Sequence, residues 1–241
     1  LPPEERRCIV SLSEGGGDAT VEREFDLVTK RFVEGGFSLP ADKQNIAWAD
    51  KDTLLVARNW GPGTMTESGY PFIVKRLKRG QALDQAQEIY RGNAKDIGAF
   101  PIVLRDSAGR AHAQLALRYI TTFEQELYVL GGPQPVRLDL PKKSQLAGLV
   151  DGRVIVSLQE AWATRGQNFP VDALISYDLA AWKRDPNGAM PELVWAPGDR
   201  QTVVGANITK EELHVTLLDN VRGKVTAMNY AGGRWTSRAV D

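Results

Sequence analysis

Apolar and β-branched residues occur along this chain in short runs separated by clusters of glycine, proline, asparagine and aspartate, a pattern that predicts many strands and almost no helix. The runs fall into five groups. The first holds runs at 8–12, 20–27 and 31–33, and the second at 46–48, 53–57, 71–77 and 88–90. The third holds 100–104, 112–119, 126–130 and 136–140, with the turn Asp106-Ser107-Ala108-Gly109 between its first two strands. The fourth begins near Leu146 and continues at 153–158, 173–177 and 193–195. Within it, residues 179–183 are expected to form one helical turn before Asp185-Pro186-Asn187-Gly188, an insertion of the kind tolerated at a rim. The fifth holds 203–206, 213–217, 224–229 and 235–239, with Gly232-Gly233 at its last hairpin.

Unit starts near 45, 99, 144 and 202 give a step close to the roughly 40–50 residues of a four-stranded propeller blade. The expected fold is therefore all-β: a single β-propeller domain of about five four-stranded blades, at approximately 1–40, 41–95, 96–142, 143–197 and 198–241. Each small twisted sheet has two faces to cover, and stacking in a ring covers them while leaving only short edges. The first unit has no room for a complete strand before Cys8, so its sheet is either three-stranded or completed by another segment. Periodicity alone also admits a two-sheet sandwich made from the same strands.

Charge and composition narrow the partners. Lys plus Arg and Asp plus Glu each number 30, so no net field gathers nucleic acid or an anionic membrane surface. No run reaches the roughly 18 apolar residues of a membrane-spanning helix, and the opening Leu1-Pro2-Pro3-Glu4-Glu5-Arg6-Arg7 lacks the apolar core of a signal peptide. Cys8 stands alone, which removes an intrachain disulfide and a cysteine metal cluster, and it is expected to pack as a small strand residue.

The most specific stretch is NWGPGTMTESGYPFIVKRLKRG, residues 59–80, in which two strands are joined by a long loop of turn formers. Trp60 and Tyr70 flank that loop, Arg58 and Glu67 add polar anchors, and loops on rigid scaffolds often carry recognition. These four are the candidate substrate-binding or domain-interface residues. Five segments in order, at 23–33 (REFDLVTKRFV), 36–40 (GFSLP), 48–56 (WADKDTLLV), 61–71 (GPGTMTESGYP) and 75–80 (KRLKRG), resemble the N-terminal β-propeller of bacterial prolyl oligopeptidase-family serine peptidases. A looser match continues through Arg137-Leu138-Asp139-Leu140-Pro141 and Leu218-Asp219-Asn220-Val221. The resemblance implies five consecutive blades of a seven-bladed parent, beginning inside a strand-bearing repeat and lacking the peptidase domain. Faces left bare by excision would be covered by closure into a five-bladed ring or by a second copy.

No catalytic set is assignable to these residues. There is no Gly-x-Ser-x-Gly elbow, since Ser68-Gly69 lies in Thr66-Glu67-Ser68-Gly69-Tyr70 with no helical run after it. His112 and His214 each sit in a β-patterned run, expected as packed or surface strand residues rather than general bases. Glu24 with Asp26, and Asp50 with Asp52, share strand faces as paired carboxylates do, but solvated strand and turn roles are expected for them. Two distant histidines and the absence of an Asp-rich loop leave no metal site, and Gly15-Gly16-Gly17 lacks the lysine and helix of a phosphate loop; no cofactor is expected. Phe25, Phe32, Trp48, Tyr177 and Trp195 are expected in blade packing, and Lys75, Arg76, Lys78 and Arg79 along a solvated edge.

What the resemblance implies is a non-catalytic gating and substrate-admission domain of a serine endopeptidase that hydrolyses short peptides. Its partners are the hydrolase domain of the parent chain and the peptide, with neither nucleic acid nor membrane. A free-standing propeller that binds protein or peptide at a rim is the alternative, and a propeller glycosidase or lyase a weaker third. The compartment stays open.

Overall fold

The computed structural model describes residues 1–2, 4–209 and 212–240. They form five antiparallel four-stranded sheets and one two-stranded hairpin, with very little helix. Two compact units are present, 1–104 with 109–137, and 105–108 with 138–241.

In the first unit, β1 (Arg7–Ser13), β2 (Thr20–Asp26), β3 (Arg31–Phe32) and β4 (Ser38–Asp42) make the first sheet. Both β3 and β4 pair with β2, at opposite ends of it: Phe25 faces Phe32, and Arg23 faces Ser38. The sheet is thus three strands wide, its third strand interrupted at 33–37, which settles how the short first group of runs is completed. The sequence pattern missed β4 because Pro40 and two charged or polar neighbours hide its alternation. β5 (Asn45–Asp50), β6 (Thr53–Ala57), β7 (Ile73–Lys78) and β8 (Gln87–Arg91) form the second sheet in sequence order. β9 (Gly98–Arg105), β10 (Ala111–Tyr119), β11 (Gln125–Leu130) and β12 (Val136–Arg137) form the third.

The unbroken apolar run of β6 follows from burial on both sides. Successive strand side chains point to opposite faces. Leu54 and Val56 enter a cluster with Phe37, Leu39, Leu77 and Ala86, while Leu55 and Ala57 enter another with Val74, Tyr90, Ala99, Ala116 and Leu130. One strand therefore holds the second sheet against both neighbours.

In the second unit, β13 (Ser144–Val150) and β14 (Arg153–Leu158) are followed by a hairpin, β15 (Trp162–Thr164) with β16 (Gln167–Phe169), before β17 (Leu174–Asp178) and β18 (Glu192–Trp195) complete the fourth sheet. The helical turn expected at 179–183 is α1 (Leu179–Arg184), capped by Asp178 Oδ1 accepting from the Ala181 amide at 2.8 Å. The fifth sheet is β19 (Gln201–Ile208), β20 (Leu213–Asp219), β21 (Arg222–Ala231) and β22 (Arg234–Val240). Ile155, Leu174 and Val194 pack on Leu213, Val215, Leu217 and Met228 between them.

The first and second sheets are joined by charge as well as by apolar contact, which corrects the expectation for β2. Glu24 is buried, at 1% exposure, not solvated. Its Oε2 accepts from Arg79 Nη1 at 2.6 Å and from the Phe37 amide at 3.0 Å, and its Oε1 from Arg7 Nη1 at 3.0 Å and Arg79 Nη2 at 3.2 Å. Arg79 also holds Asp52 Oδ1 at 3.0 Å and the Lys51 carbonyl at 2.6 Å, so it is a junction residue rather than part of a solvated edge. Asp26, also buried, accepts from Arg6 and from the amides of Val28 and Thr29. Burial by itself raises the Glu24 pKa. The Arg79 guanidinium, the Phe37 amide and Arg7 outweigh it and hold the carboxyl below its ordinary value.

Gly36 makes this approach possible. A Cβ there would lie 2.9 Å from both Glu24 Oε2 and the Val33 carbonyl oxygen. Gly36→Ala is accordingly expected to destabilise the protein by about 1–3 kcal/mol through overpacking, measured by urea unfolding. Glu24→Gln, which leaves Arg79 facing a neutral amide, is expected to cost about 3 kcal/mol. Because the folded Glu24 pKa is depressed, its contribution is present above the ordinary value of 4.5 and is lost as pH falls from there through the folded pKa. Stability of the wild type should fall more steeply than that of Glu24→Gln across that acid range; parallel curves would remove Glu24 from the linkage.

Candidate functional site

The long connection 58–72 leaves β6 and returns to β7, and it is built residue by residue rather than left open. Asn59 Oδ1 accepts the Gly61 amide at 2.9 Å, and Thr64 Oγ1 accepts the Trp60 amide at 2.8 Å while donating to the Gly61 carbonyl at 2.6 Å. Thr66 and Tyr70 close a second small turn. The Thr66 amide donates to the Tyr70 carbonyl at 2.8 Å, and the Tyr70 amide returns to Thr66 Oγ1 at 3.1 Å. These are the local side-chain bonds that make hydroxyl residues turn formers.

The same connection is anchored to the segment joining the second and third sheets. Thr66 Oγ1 donates to the Ile97 carbonyl at 3.1 Å, and the Glu67 amide to the Ala94 carbonyl at 2.9 Å. On its other side lie the end of β4 and the short segment after it, where Asp42 Oδ2 accepts from Arg58 Nη2 at 3.0 Å and Lys43 Nζ stands 5.0 Å over the Tyr70 ring. Lys43 in turn pairs with Asp18, in the β1–β2 loop, at 3.2 Å. Within this unit, one rim thus gathers residues 14–19, 42–44, 58–72 and 92–97.

The four sequence-predicted residues come to this rim in two different environments. Arg58 is buried, and Trp60 is half-buried: its indole Nε1 donates to the Ile73 carbonyl at 3.2 Å, its ring joins the Leu54 and Val56 cluster, and Lys75 Nζ lies 4.6 Å above it. Glu67 and Tyr70 are exposed. The solvent-facing chemistry is therefore one phenol ring, one carboxylate and the nearby Lys43 ammonium. Sequence reasoning did not find Asp42, Lys43 or Gln44, because what marks them is a pairing between segments rather than a local motif.

The third sheet repeats the arrangement with a stronger charge set. Asp96, buried in the connection before β9, takes Arg118 Nε and Nη2 at 2.8 and 2.9 Å, and Arg118 Nη1 reaches Glu126 at 3.0 Å. In the second unit the corresponding ties use backbone: the Gln159 amide donates to the Lys143 carbonyl at 2.7 Å, and the Asn220 amide to the Arg200 carbonyl at 3.0 Å. His214 is engaged by Glu212 at 3.0 Å, and Glu212 by Arg238. Arg238 and His214 outweigh the small effect of burial and hold the Glu212 carboxyl below its ordinary value. Among the described residues no group of three or more His, Cys, Asp and Glu is arranged to hold a metal. Among the described residues no helix is long and apolar enough to cross a membrane.

Comparison with known proteins agrees with this geometry. Residues 1–241 match the family model described as the prolyl oligopeptidase N-terminal beta-propeller domain. The uncharacterized peptidase y4nA of Sinorhizobium fredii is 40% identical over 242 residues, covering 98% of this chain and 33% of that protein. The uncharacterized peptidase RP174 of Rickettsia prowazekii is 22% identical over 247 residues, covering 97% and 34%. The chain thus spans about a third of the length of these relatives. A post-proline cleaving enzyme from Rickettsia typhi superposes with a TM-score of 0.88 at 20% identity, over 98% of this chain and 36% of that one. The β-propeller domain of the Trilobed protease from Pyrococcus furiosus gives 0.57 at 14% identity, over 99% and 67%. At these identities the two structures speak to fold alone. The chain belongs to the prolyl oligopeptidase family, as its N-terminal β-propeller domain.

Proposed function

We propose that this propeller is the non-catalytic, substrate-admitting part of a prolyl oligopeptidase-type serine endopeptidase that hydrolyses short peptides. The observation that carries the reading is the match of residues 1–241 to the propeller family, within relatives named peptidases that are about three times as long. The nucleophile, base and oxyanion donors then belong to a hydrolase domain in the same parent chain. The propeller's part is exclusion: a folded protein is too bulky to pass a narrow entry, whereas a flexible peptide enters when loops or domains move.

The rim built by 58–72 supports a role at that entry. It is anchored on both sides to the inter-sheet segments, which leaves the exposed Glu67 and Tyr70 on a rigid base. Arg58 and Trp60, buried and half-buried in the same connection, join them as the candidates for contact with peptide or hydrolase domain.

A first test is the reading frame of the parent, expected to continue into a domain carrying Gly-x-Ser-x-Gly. Residues 1–241 alone are expected to take up no fluorophosphonate and cleave no peptide. Stoichiometric labelling of one serine, with activity lost on its replacement, would move catalysis into the propeller. In the full-length enzyme, Glu67→Ala and Tyr70→Ala are expected to change kcat/KM for short peptides several-fold while thermal midpoints stay within about 2 °C, as for exposed surface positions. Lys183→Ala, in the α1 insertion, is the control. Equal kinetic effects at the two places would deprive the 58–72 rim of its special role.

A further inference from the structure

Arg58 and Arg118 hold corresponding places in successive sheets. Arg58 directly follows β6, the second strand of its sheet, and Arg118 is next to the last residue of β10, the second strand of the next. Each reaches an aspartate a few residues before its own sheet begins: Asp42, the last residue of β4, and Asp96, in the connection before β9. The two guanidinium groups then differ. Arg118 uses Nε and Nη2 on both Asp96 oxygens and Nη1 on Glu126, its cross-strand neighbour in β11.

Arg58 is only partly engaged. Nη2 holds Asp42 at 3.0 Å, Nε makes a long contact of 3.4 Å to the Asn59 carbonyl, and Nη1 has no hydrogen-bond partner among the described residues although it is buried. The residue as a whole is 6% exposed. Ala57 pairs with Val74, so the same register carried one residue further sets Ile73 opposite Arg58. Where the third sheet supplies the Glu126 carboxylate, the second supplies an isoleucine.

A buried guanidinium N–H without an acceptor is costly, and native structures rarely keep one without a use. Its planar fork matches a carboxylate or a phosphate, and of the two a short peptide always offers the first at its C-terminus. Asn45 pairs with Ala57, so that register carried one residue further sets Gln44 opposite Arg58, and Gln44 Oε1, an acceptor, is likewise buried without a partner among the described residues, while Gln44 Nε2 is committed to the carbonyls of Thr20 and Pro40. A donor for a carboxylate and an acceptor for an amide N–H are together what the last residue of a peptide requires.

Resting on the peptide-admission reading, we propose that Arg58 is the anchor for the C-terminal carboxylate of a short peptide at this rim, filling the position that Glu126 fills for Arg118. Gln44 Oε1 serves the main-chain N–H of the same residue. Arg58 Nη1 carries almost no accessible surface, so the carboxylate enters as the turn 61–64 moves; that turn is held by its own short-range bonds to Asn59 and Thr64, while Trp60 stays fixed by the Ile73 carbonyl and the Leu54 and Val56 cluster. Asp42 keeps the guanidinium in place throughout and sets the orientation of the free N–H.

The test uses the full-length peptidase and three matched peptides: one with a free C-terminal carboxylate, one ending in an amide, and one amide whose last residue is glutamate. The wild type is expected to cleave the free acid with a kcat/KM about tenfold above that of the plain amide, the size of one charge-assisted hydrogen bond, with the difference in KM. Arg58→Gln should bring the ratio to about one, and Arg58→Lys, which keeps charge but not the fork, should leave part of it. Equal cleavage of acid and amide by the wild type overturns the assignment without recourse to any variant. So does a preference retained in Arg58→Gln, or a glutamate amide cleaved as well as the free acid. Failure of the full-length enzyme to cleave any of the three is a separate result, which removes the peptide-admission reading itself.

Discussion

A carboxylate with no exposed side-chain surface, Glu24, is the point on which the first two sheets are joined. Charge is admitted to such a place only when its desolvation is offset by paired, well-directed donors. Here the donors come from three segments: Arg7 on β1, the Phe37 amide in the interruption between β3 and β4, and Arg79 in the turn after β7. The interruption is therefore part of the joint, since it turns the Phe37 amide toward the carboxylate, and Gly36 leaves room for the carboxylate to approach. Asp52, in the tight turn between β5 and β6, then fixes Arg79 from the far side.

This joint explains why the family-like segments at 23–33, 36–40, 48–56 and 75–80 stand where they do. They supply Glu24, Gly36 with Phe37, Asp52 and Arg79, four parts of one network spread across two sheets. Their chemistry is structural. Paired carboxylates on one strand face suggested acid–base work as an alternative, and the arginines show instead that both groups are held ionised and closed to solvent.

The opposite ends of these strands are held by a different device that recurs from sheet to sheet. The end of each second strand is tied back to residues that precede its sheet, by the Leu27 amide to the Arg6 carbonyl, by Arg58 to Asp42, by Arg118 to Asp96, and by backbone amides at Gln159 and Asn220. A repeat architecture needs such a tie because each small sheet has little core of its own and its connecting segments must be fixed to bring successive sheets into register. Where the tie is charged its strength depends on how many donors are used, and the second sheet uses the fewest. That is the sheet with the longest rim loop in its unit, and the coincidence of an incompletely used arginine with an elaborate loop is what sets this rim apart.

Strand existence was legible in the sequence because burial on one or both faces writes itself as alternation or as an unbroken apolar run, as in 53–57, 112–119 and 213–217. The order of five groups and the α1 turn could both be read in the sequence. β4 and the β15–β16 hairpin could not: proline and charged residues mask the first, and the second is too short for its period to register. The candidate residues at 58–70 were found through turn chemistry, which is local. Which of them are buried was decided only in three dimensions, since Arg58 depends on Asp42 and Trp60 on Ile73, partners that no spacing announces. The burial of Glu24 is the clearest case, because an acidic residue in a strand reads as solvated until the fold brings two guanidinium groups and an amide to it.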